Sequence, residues 1–356
     1  MSQAALVLLG AVVGVVVDRF LGPRLDAVGR SVRRWFLRRR RSRLALVGEQ
    51  SMVVKYANLD SGWRPDQIRI VTTAERPEIA TLVEPSPIRA AFEDVGTLEA
   101  EIDRLRTQMA GESDAQWNEE HLGPSQIDQS RDVREQYIRI VTDIRDWATH
   151  RVVRERLRRS DDTEGPAISP ARLREVDRLT STTLRIQIAV LTADGHLAIG
   201  RRGVKEGIDE PGKLCMSLES WIYAKDEVGG RVDLRNVIRR AWSEQFGVDE
   251  ASVDAADLRL HTIALNVRTR NWAILGLLDL RNAGIDRERL AATRALAPPV
   301  DYWIADPLEF VPLRRRTIQD LLRSGFPDWM SESALCLLNS IGLHAPGLIP
   351  RDGARY

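Results

Sequence analysis

The sequence predicts an α+β fold, and three observations within residues 184–281 carry that prediction. Two β-rich runs, Leu184–Leu191 and His196–Arg201, flank Thr192-Ala-Asp-Gly195. An Asp-Gly pair between such runs marks a hairpin, because glycine supplies the positive φ the turn requires. An amphipathic stretch from Leu234 to Phe246 then stops at Gly247, the residue type that most readily takes the left-handed conformation closing a helix. Two further apolar runs, Leu258–Val267 and Trp272–Leu280, surround Arg268-Thr-Arg-Asn271 and read as strands. Strands and a helix thus mix within one stretch, the order of an α+β sheet with flanking helices.

At the start of the chain, Met1–Val17 carries no charged side chain and Ala4–Val17 is continuously apolar. A helix of this length spans about 25 Å, the lower limit for the hydrocarbon core of a bilayer. Arg30, Arg33, Arg34, Arg38–Arg41 and Arg43 follow it, with Trp35 and Phe36 among them. The positive-inside rule then places the N-terminus outside and the long remainder in the cytoplasm. Residues 1–22 are expected to be a single-pass anchor in the cell membrane, and residues 23–49 a basic juxtamembrane helix whose arginines meet anionic lipid of the bilayer. Gly10 and Gly14 form a Gly-x-x-x-Gly pair that allows close helix approach, a candidate contact for a homo-oligomer. An arginine run also suits phosphates, but its place directly behind the apolar span is explained by topology. With 52 basic against 51 acidic residues overall, no nucleic acid partner is expected.

Residues 50–160 read as a middle region. Met52–Tyr56, Gln67–Thr73 and Ala80–Val83 are short β-rich runs suggesting a small sheet or hairpin. Leu98, Ile102, Leu105 and Met109 give Ile88–Ala110 one apolar helical stripe, and Gly111–Gln129 is polar and irregular. Tyr137, Ile140, Val141, Ile144, Trp147 and Ala148 predict a second helix over Val133–Leu157, paired with the first as a helical hairpin. Ser160–Pro170, polar and rich in breakers, is the expected boundary, and a short helix from Ser169 to Leu179 opens the next part. Residues 171–346 then contain the α+β stretch, a helix over Asp286–Leu296, a strand over Val300–Ile304, and helices over Pro312–Ser324 and Pro327–Ile341. Cys215 and Cys336 lie far apart without metal-ligand spacing, which suits a reducing compartment.

The run Arg240-Ala-Trp-Ser-Glu244-Gln-Phe-Gly247-Val248 resembles the signature helix of the Nudix family, Arg-Glu-apolar-x-Glu-Glu-x-Gly-apolar. Arg240, Trp242, Glu244, Gly247 and Val248 fill its positions, while Ala241 and Gln245 stand where the family has glutamates. Pro211-Gly-Lys-Leu resembles the family's Pro-Gly-Lys-Trp approach to the helix, without its Pro-Gly-Gly. The resemblance implies a Nudix-like mixed sheet and a nucleotide-type small molecule as ligand. It also implies Mg²⁺ held by helix glutamates, since this hard cation takes oxygen ligands and neutralises a diphosphate during attack.

Only Glu244 keeps a family carboxylate, so it is the candidate catalytic and metal-binding residue. Its alternative is an ion pair with Arg240, four residues earlier. Glu219, Asp226 and Glu227 are further carboxylates that could join it. Among candidate ligand-binding residues, Arg240 resembles the family arginine that orients the glutamates. Arg201 and Arg202 stand where the family often keeps an arginine near the substrate phosphate. Trp272 could stack a nucleobase or simply fill the core. His196 and His261 are strand residues open to either reading. The anchor joined to a depleted metal box resembles the membrane–Nudix effectors of bacterial antiphage signalling systems. The expectation is a membrane-anchored protein that binds a nucleotide or nucleotide-derived signal without efficient hydrolysis. The alternatives are a tethered Nudix hydrolase of nucleoside diphosphate derivatives and a non-catalytic interaction protein at the membrane.

Overall fold

The computed structural model describes residues 52–86, 88–92, 94–111, 119–130, 136–164, 175–203, 211–248, 250–296, 304–314, 317 and 329–344. The expected anchor, the basic segment, Gly10 and Gly14 lie outside them. Among the described residues, no helix is long and apolar enough to cross a membrane.

Eight strands form the larger sheet. Its path is β1 (Met52–Ala57), β11 (Asp257–Asn266), β12 (Asn271–Asp279), β5 (Thr183–Leu191), β6 (His196–Arg202) and β13 (Ile304–Pro312), with β7 (Leu214–Met216) on β6 and β8 (Leu218–Trp221) on β5. Among the described strands of this sheet, β12 and β5 alone pair in parallel, at the centre. Both are buried along their whole length, which is why they read as near-continuous apolar runs. Ile186, Ile188 and Val190 of β5 join the core cluster that contains helix α4 (Leu234–Phe246). Ala189 and Leu191 join a second cluster with the C-terminal helix α7 (Ser331–His344). Period-two alternation along one strand thus feeds two cores.

The second sheet has the order β3 (His121–Gln129), β4 (Ile138–Arg145), β2 (Ile68–Thr72), β10 (Arg231–Val232) and β9 (Glu227–Val228), with β2 and β4 parallel. Helices α1 (Ile79–Val83), α2 (Val95–Gly111) and α3 (Trp147–Glu164) belong to this half, and α5 (Ala251–Ala255) and α6 (Arg287–Leu296) are further helices among the described residues. Helix α2 is tied to the junction between β4 and α3 by Arg106 Nε–Asp146 Oδ2 at 2.6 Å, and to α3 itself by Arg156 Nε–Glu101 Oε2 at 3.1 Å. Where α3, β3 and β8 meet, His121, Trp147, His150 and Trp221 pack ring on ring, the two tryptophans 4.7 Å apart between centroids.

Several expectations are corrected. Ile138–Arg145 is a strand and α3 begins only at Trp147. The β-branched run Ile-Arg-Ile-Val-Thr buries Ile138, Ile140 and Thr142 with Arg139 exposed, a period of two that Ile140, Val141 and Ile144 also disguise as a helical stripe. The helical hairpin is therefore interrupted by β4. His121–Gln129 is also a strand, hidden in the sequence by Gly123 and Pro124. Pro124 sits at a register irregularity, where a missing N–H is tolerated. A Cβ on Gly123 would come within 2.5 Å of the Ser181 carbonyl oxygen, so only glycine permits that approach. Ala80–Val83 belongs to a helix rather than a strand. β1 and β2 do not form one small sheet: β1 pairs with β11, and β2 with β4 and β10. Segments from both sides of the expected boundary thus share both sheets. The late strand is Ile304–Pro312, beginning where Val300–Ile304 was expected to end. Most of Pro312–Ser324 lies outside the described residues.

Candidate functional site

Helix α4 starts at Asp233, whose side chain accepts from the Arg235 N–H at 2.8 Å, and stops at Gly247 with φ 62°. Leu234, Val237, Ile238, Ala241, Trp242, Gln245 and Phe246 form its buried face. Helical spacing puts positions 241 and 245 on that inward face together, while 240 and 244 line the flank beside it. Ala241 and Gln245, which stand where the resembled signature has glutamates, are thus core positions here.

Ala241 is fully enclosed and offers no oxygen. Gln245, 1% exposed, donates from Nε2 to the Glu219 carbonyl and accepts at Oε1 from the Glu219 N–H at 3.2 Å. Strand β8 is paired with β5 on one side, and the Gln245 amide closes hydrogen bonds at its other edge. A primary amide can serve both backbone groups because it carries a donor and an acceptor.

Arg240 is equally occupied. Its Nε and Nη2 grip Asp226 at 2.8 and 2.9 Å, Nη2 also donates to the Trp221 carbonyl at 3.0 Å, and Nη1 donates to Ser220 Oγ at 3.2 Å and Glu244 Oε2 at 3.0 Å. The Tyr223 ring lies 4.7 Å from its guanidinium carbon. Burial opposes the charge, but the bonds and charge of Asp226, with Glu244 beyond, raise the Arg240 pKa overall. Asp226 also accepts the Tyr223 N–H at 2.8 Å. Arg240 therefore fastens α4 to the loop after β8. Glu244 takes the ion-pair role, with its side chain one-third exposed. Glu227 bonds the Gly230 N–H.

Behind β8 lies a second polar layer, between the sheet and α7. Arg202 pairs with Glu219, both buried. Gln187 Nε2 donates to Glu219 Oε2 at 3.1 Å, Ser333 Oγ donates to Gln187 Oε1 at 2.9 Å, and Arg185 pairs with Glu332. Arg201, the next residue along β6, points the other way, as strand alternation requires. It is exposed, donating to the Gly212 carbonyl at 2.9 Å and to Glu309 at 3.2 Å. Arg201 and Arg202 thus belong to different surroundings.

Trp272 is fully buried and donates from Nε1 to Ser181 Oγ at 2.8 Å, so it is a core residue rather than a stacking platform. His261 is enclosed between Ser340 Oγ at 2.9 Å and Thr262 Oγ1 at 3.0 Å, and burial pushes its pKa down to about 3. His196 sits beside Asp194 at 3.0 Å. Sequence reasoning missed Arg185, Gln187, Glu332 and Ser333. The available signal was two polar residues at alternate positions of the otherwise apolar run Leu184–Leu191.

The donors do not fit Mg²⁺, which demands near-octahedral oxygen coordination. Ala241 supplies no oxygen, Gln245 is engaged with β8, Glu219 is held by Arg202 and Gln187, and Glu244 by Arg240. Among the described residues, no group of three His, Cys, Asp or Glu side chains converges on a common point.

No family model matches the sequence, and no curated protein matches it. Part of the chain is similar to solved structures that include the following two. One is the protein DR0079 of Deinococcus radiodurans, at 14% identity and a TM-score of 0.29, covering 44% of this chain and 82% of that one. The other is a bifunctional NMN adenylyltransferase/ADP ribose pyrophosphatase from Francisella tularensis, at 11% identity and a TM-score of 0.28, covering 44% of this chain and 40% of that one.

Proposed function

We propose that this chain is a Nudix-like protein that binds a nucleotide-type small molecule without metal-dependent hydrolysis. The observation that carries the reading is the use of the signature helix as a structural fastener. Arg240 and Gln245 hold the loop and edge of β8, and Ala241 packs the core. Catalysis of diphosphate cleavage asks for a metal that neutralises the phosphates and activates water. The positions that resemble the family's metal box direct their groups at the protein itself. The sequence of residues 1–43 supports the further proposal that the bilayer is a partner, with the apolar segment as anchor and the arginines against anionic headgroups. Gly10 and Gly14 supply a contact through which anchors could pair.

The direct test is calorimetry of the full chain against a panel of nucleotides with EDTA present. The reading expects saturable heat from at least one nucleotide without any divalent cation. Silence across the panel would leave the interaction-protein alternative in its place.

A further inference from the structure

Resting on the nucleotide-binding reading above, we propose that the buried layer between β5 and α7 is an anion site, and that the Glu332 carboxylate occupies it in place of a ligand phosphate. β5 is buried on both faces, and apart from Thr183 its side chains are aliphatic except at Arg185 and Gln187. Arg185 and Glu332 are both almost wholly enclosed, with side-chain exposures of 3% and 0%. A buried ion pair is a poor device for stability, because desolvating two charges cancels most of their attraction and well-packed apolar residues often serve as well. The pair therefore calls for a reason other than stability.

Its hydrogen bonding is also incomplete. Arg185 Nε and Glu332 Oε2 are buried without a hydrogen-bond partner, as is Ser217 Oγ at the turn between β7 and β8. Arg240 of α4, by contrast, makes five hydrogen bonds with its guanidinium. Arg185 thus keeps a donor that a carboxylate in this pose does not reach. A phosphate, with more terminal oxygens, can take Nε and Nη2 side by side in the fork geometry that guanidinium groups favour. The layer holds Arg185 and Arg202 against Glu219 and Glu332 and is neutral as it stands. Removing Glu332 leaves one uncompensated positive charge facing the sheet interior.

The occupant leaves only when the first turn of α7 opens, which also parts Ser333 Oγ from Gln187 and from the Met216 N–H. Glu332 sits in the first turn of α7, the part of a helix most prone to fray. Further along, Cys336, Leu337 and Ile341 bury the helix in the second core cluster. Opening one turn withdraws the carboxylate together with Ser333, while Cys336, Leu337 and Ile341 keep the rest of α7 packed. Ligand binding and the release of this turn become one equilibrium, so the ligand's apparent affinity is reduced by the fraction of chains in which Glu332 is docked.

The test is titration calorimetry of the full chain with sodium pyrophosphate and with ADP, comparing wild type with Glu332→Gln and Arg185→Gln. Glu332→Gln keeps the shape and removes the competing charge. It is expected to tighten pyrophosphate or ADP binding at least tenfold, and Arg185→Gln to abolish it. Hydrogen exchange on the unmodified protein gives a second readout that needs no variant to fold: ADP at saturation is expected to speed exchange at residues 332–334. ADP binding with an affinity unchanged in Glu332→Gln, or with unchanged exchange at 332–334, overturns the assignment and leaves the nucleotide reading standing. No heat from pyrophosphate or any nucleotide with either protein overturns both.

Discussion

Placing a glutamate at position 245, as in the Nudix signature that helix α4 resembles, separates a structural role of this residue from a metal-binding one. Gln245 lies 1% exposed with its amide against the Glu219 N–H and C=O. In Gln245→Glu the carboxylate still accepts from the N–H, but the donor to the carbonyl is lost and two oxygens face one another. A buried acceptor left unpaired costs about 1–3 kcal/mol, and burying the charge adds more until the group takes up a proton. A loss of about 3–4 kcal/mol is expected at pH 7.5. Burial raises the folded pKa of the new carboxyl above its unfolded value of about 4.3. The folded variant therefore binds the extra proton, and its deficit relative to wild type shrinks as pH falls through that raised pKa. Once protonated, the carboxyl can donate to the Glu219 carbonyl and mimic the amide. Urea denaturation of both proteins at pH 7.5 and pH 5, with and without Mg²⁺, reads this directly. A deficit below about 1 kcal/mol, or one restored by Mg²⁺ through the stabilisation a bound ligand confers, would refute the structural role.

Other predictions follow from the same contacts. Arg240→Lys loses the fork to Asp226 and most of its five hydrogen bonds, and should lower unfolding free energy by about 2–4 kcal/mol in urea melts. A loss within about 0.5 kcal/mol would argue that the loop after β8 is fastened otherwise. Trp272→Phe should destabilise by about 1–2 kcal/mol, through the lost bond to Ser181 and lost volume, and leave nucleotide affinity unchanged in calorimetry. A selective loss of affinity would restore the stacking role. The buried histidines make the fold acid-labile. Burial lowers His121 to about 4, His261 to about 3 and His150 well below its ordinary value. Their contribution is fully present above the unfolded pKa near 6.5 and is lost as pH falls toward those folded values, by up to about 1.4 kcal/mol per pH unit for each histidine. Thermal melts from pH 7 to pH 4.5 should show Tm falling steeply below about pH 6; a flat profile over that range contradicts the burial of these rings.

The Leu184–Arg281 stretch was legible because its signals are local. Asp194-Gly195 marks the β5–β6 hairpin, and Asp233 and Gly247 bracket α4. The two sheets were not legible, because their joins span long separations in the chain: Met52 lies opposite Asn266, and Val71 opposite Arg231. No periodicity within a window reports such pairings. Ile138–Arg145 misled because its β-branched residues satisfy a helical stripe and an alternating strand at once. At the site, the sequence carried the absence of carboxylates at 241 and 245 but not what replaced their chemistry. That Gln245 closes the edge of β8 depends on Glu219, 26 residues away, presenting its backbone to it. The Arg185–Glu332 pair is further still, 147 residues apart, and was visible only as polar residues within an apolar strand.

Whether the chain cleaves nucleoside diphosphate derivatives is decided by incubating the purified full chain with them and Mg²⁺ and following product by anion-exchange chromatography. No product above the uncatalysed background is expected, with Glu244→Gln indistinguishable from wild type. Product release near the ordinary enzymatic range of about 1 s⁻¹ or faster, lost in Glu244→Gln, would contradict that expectation.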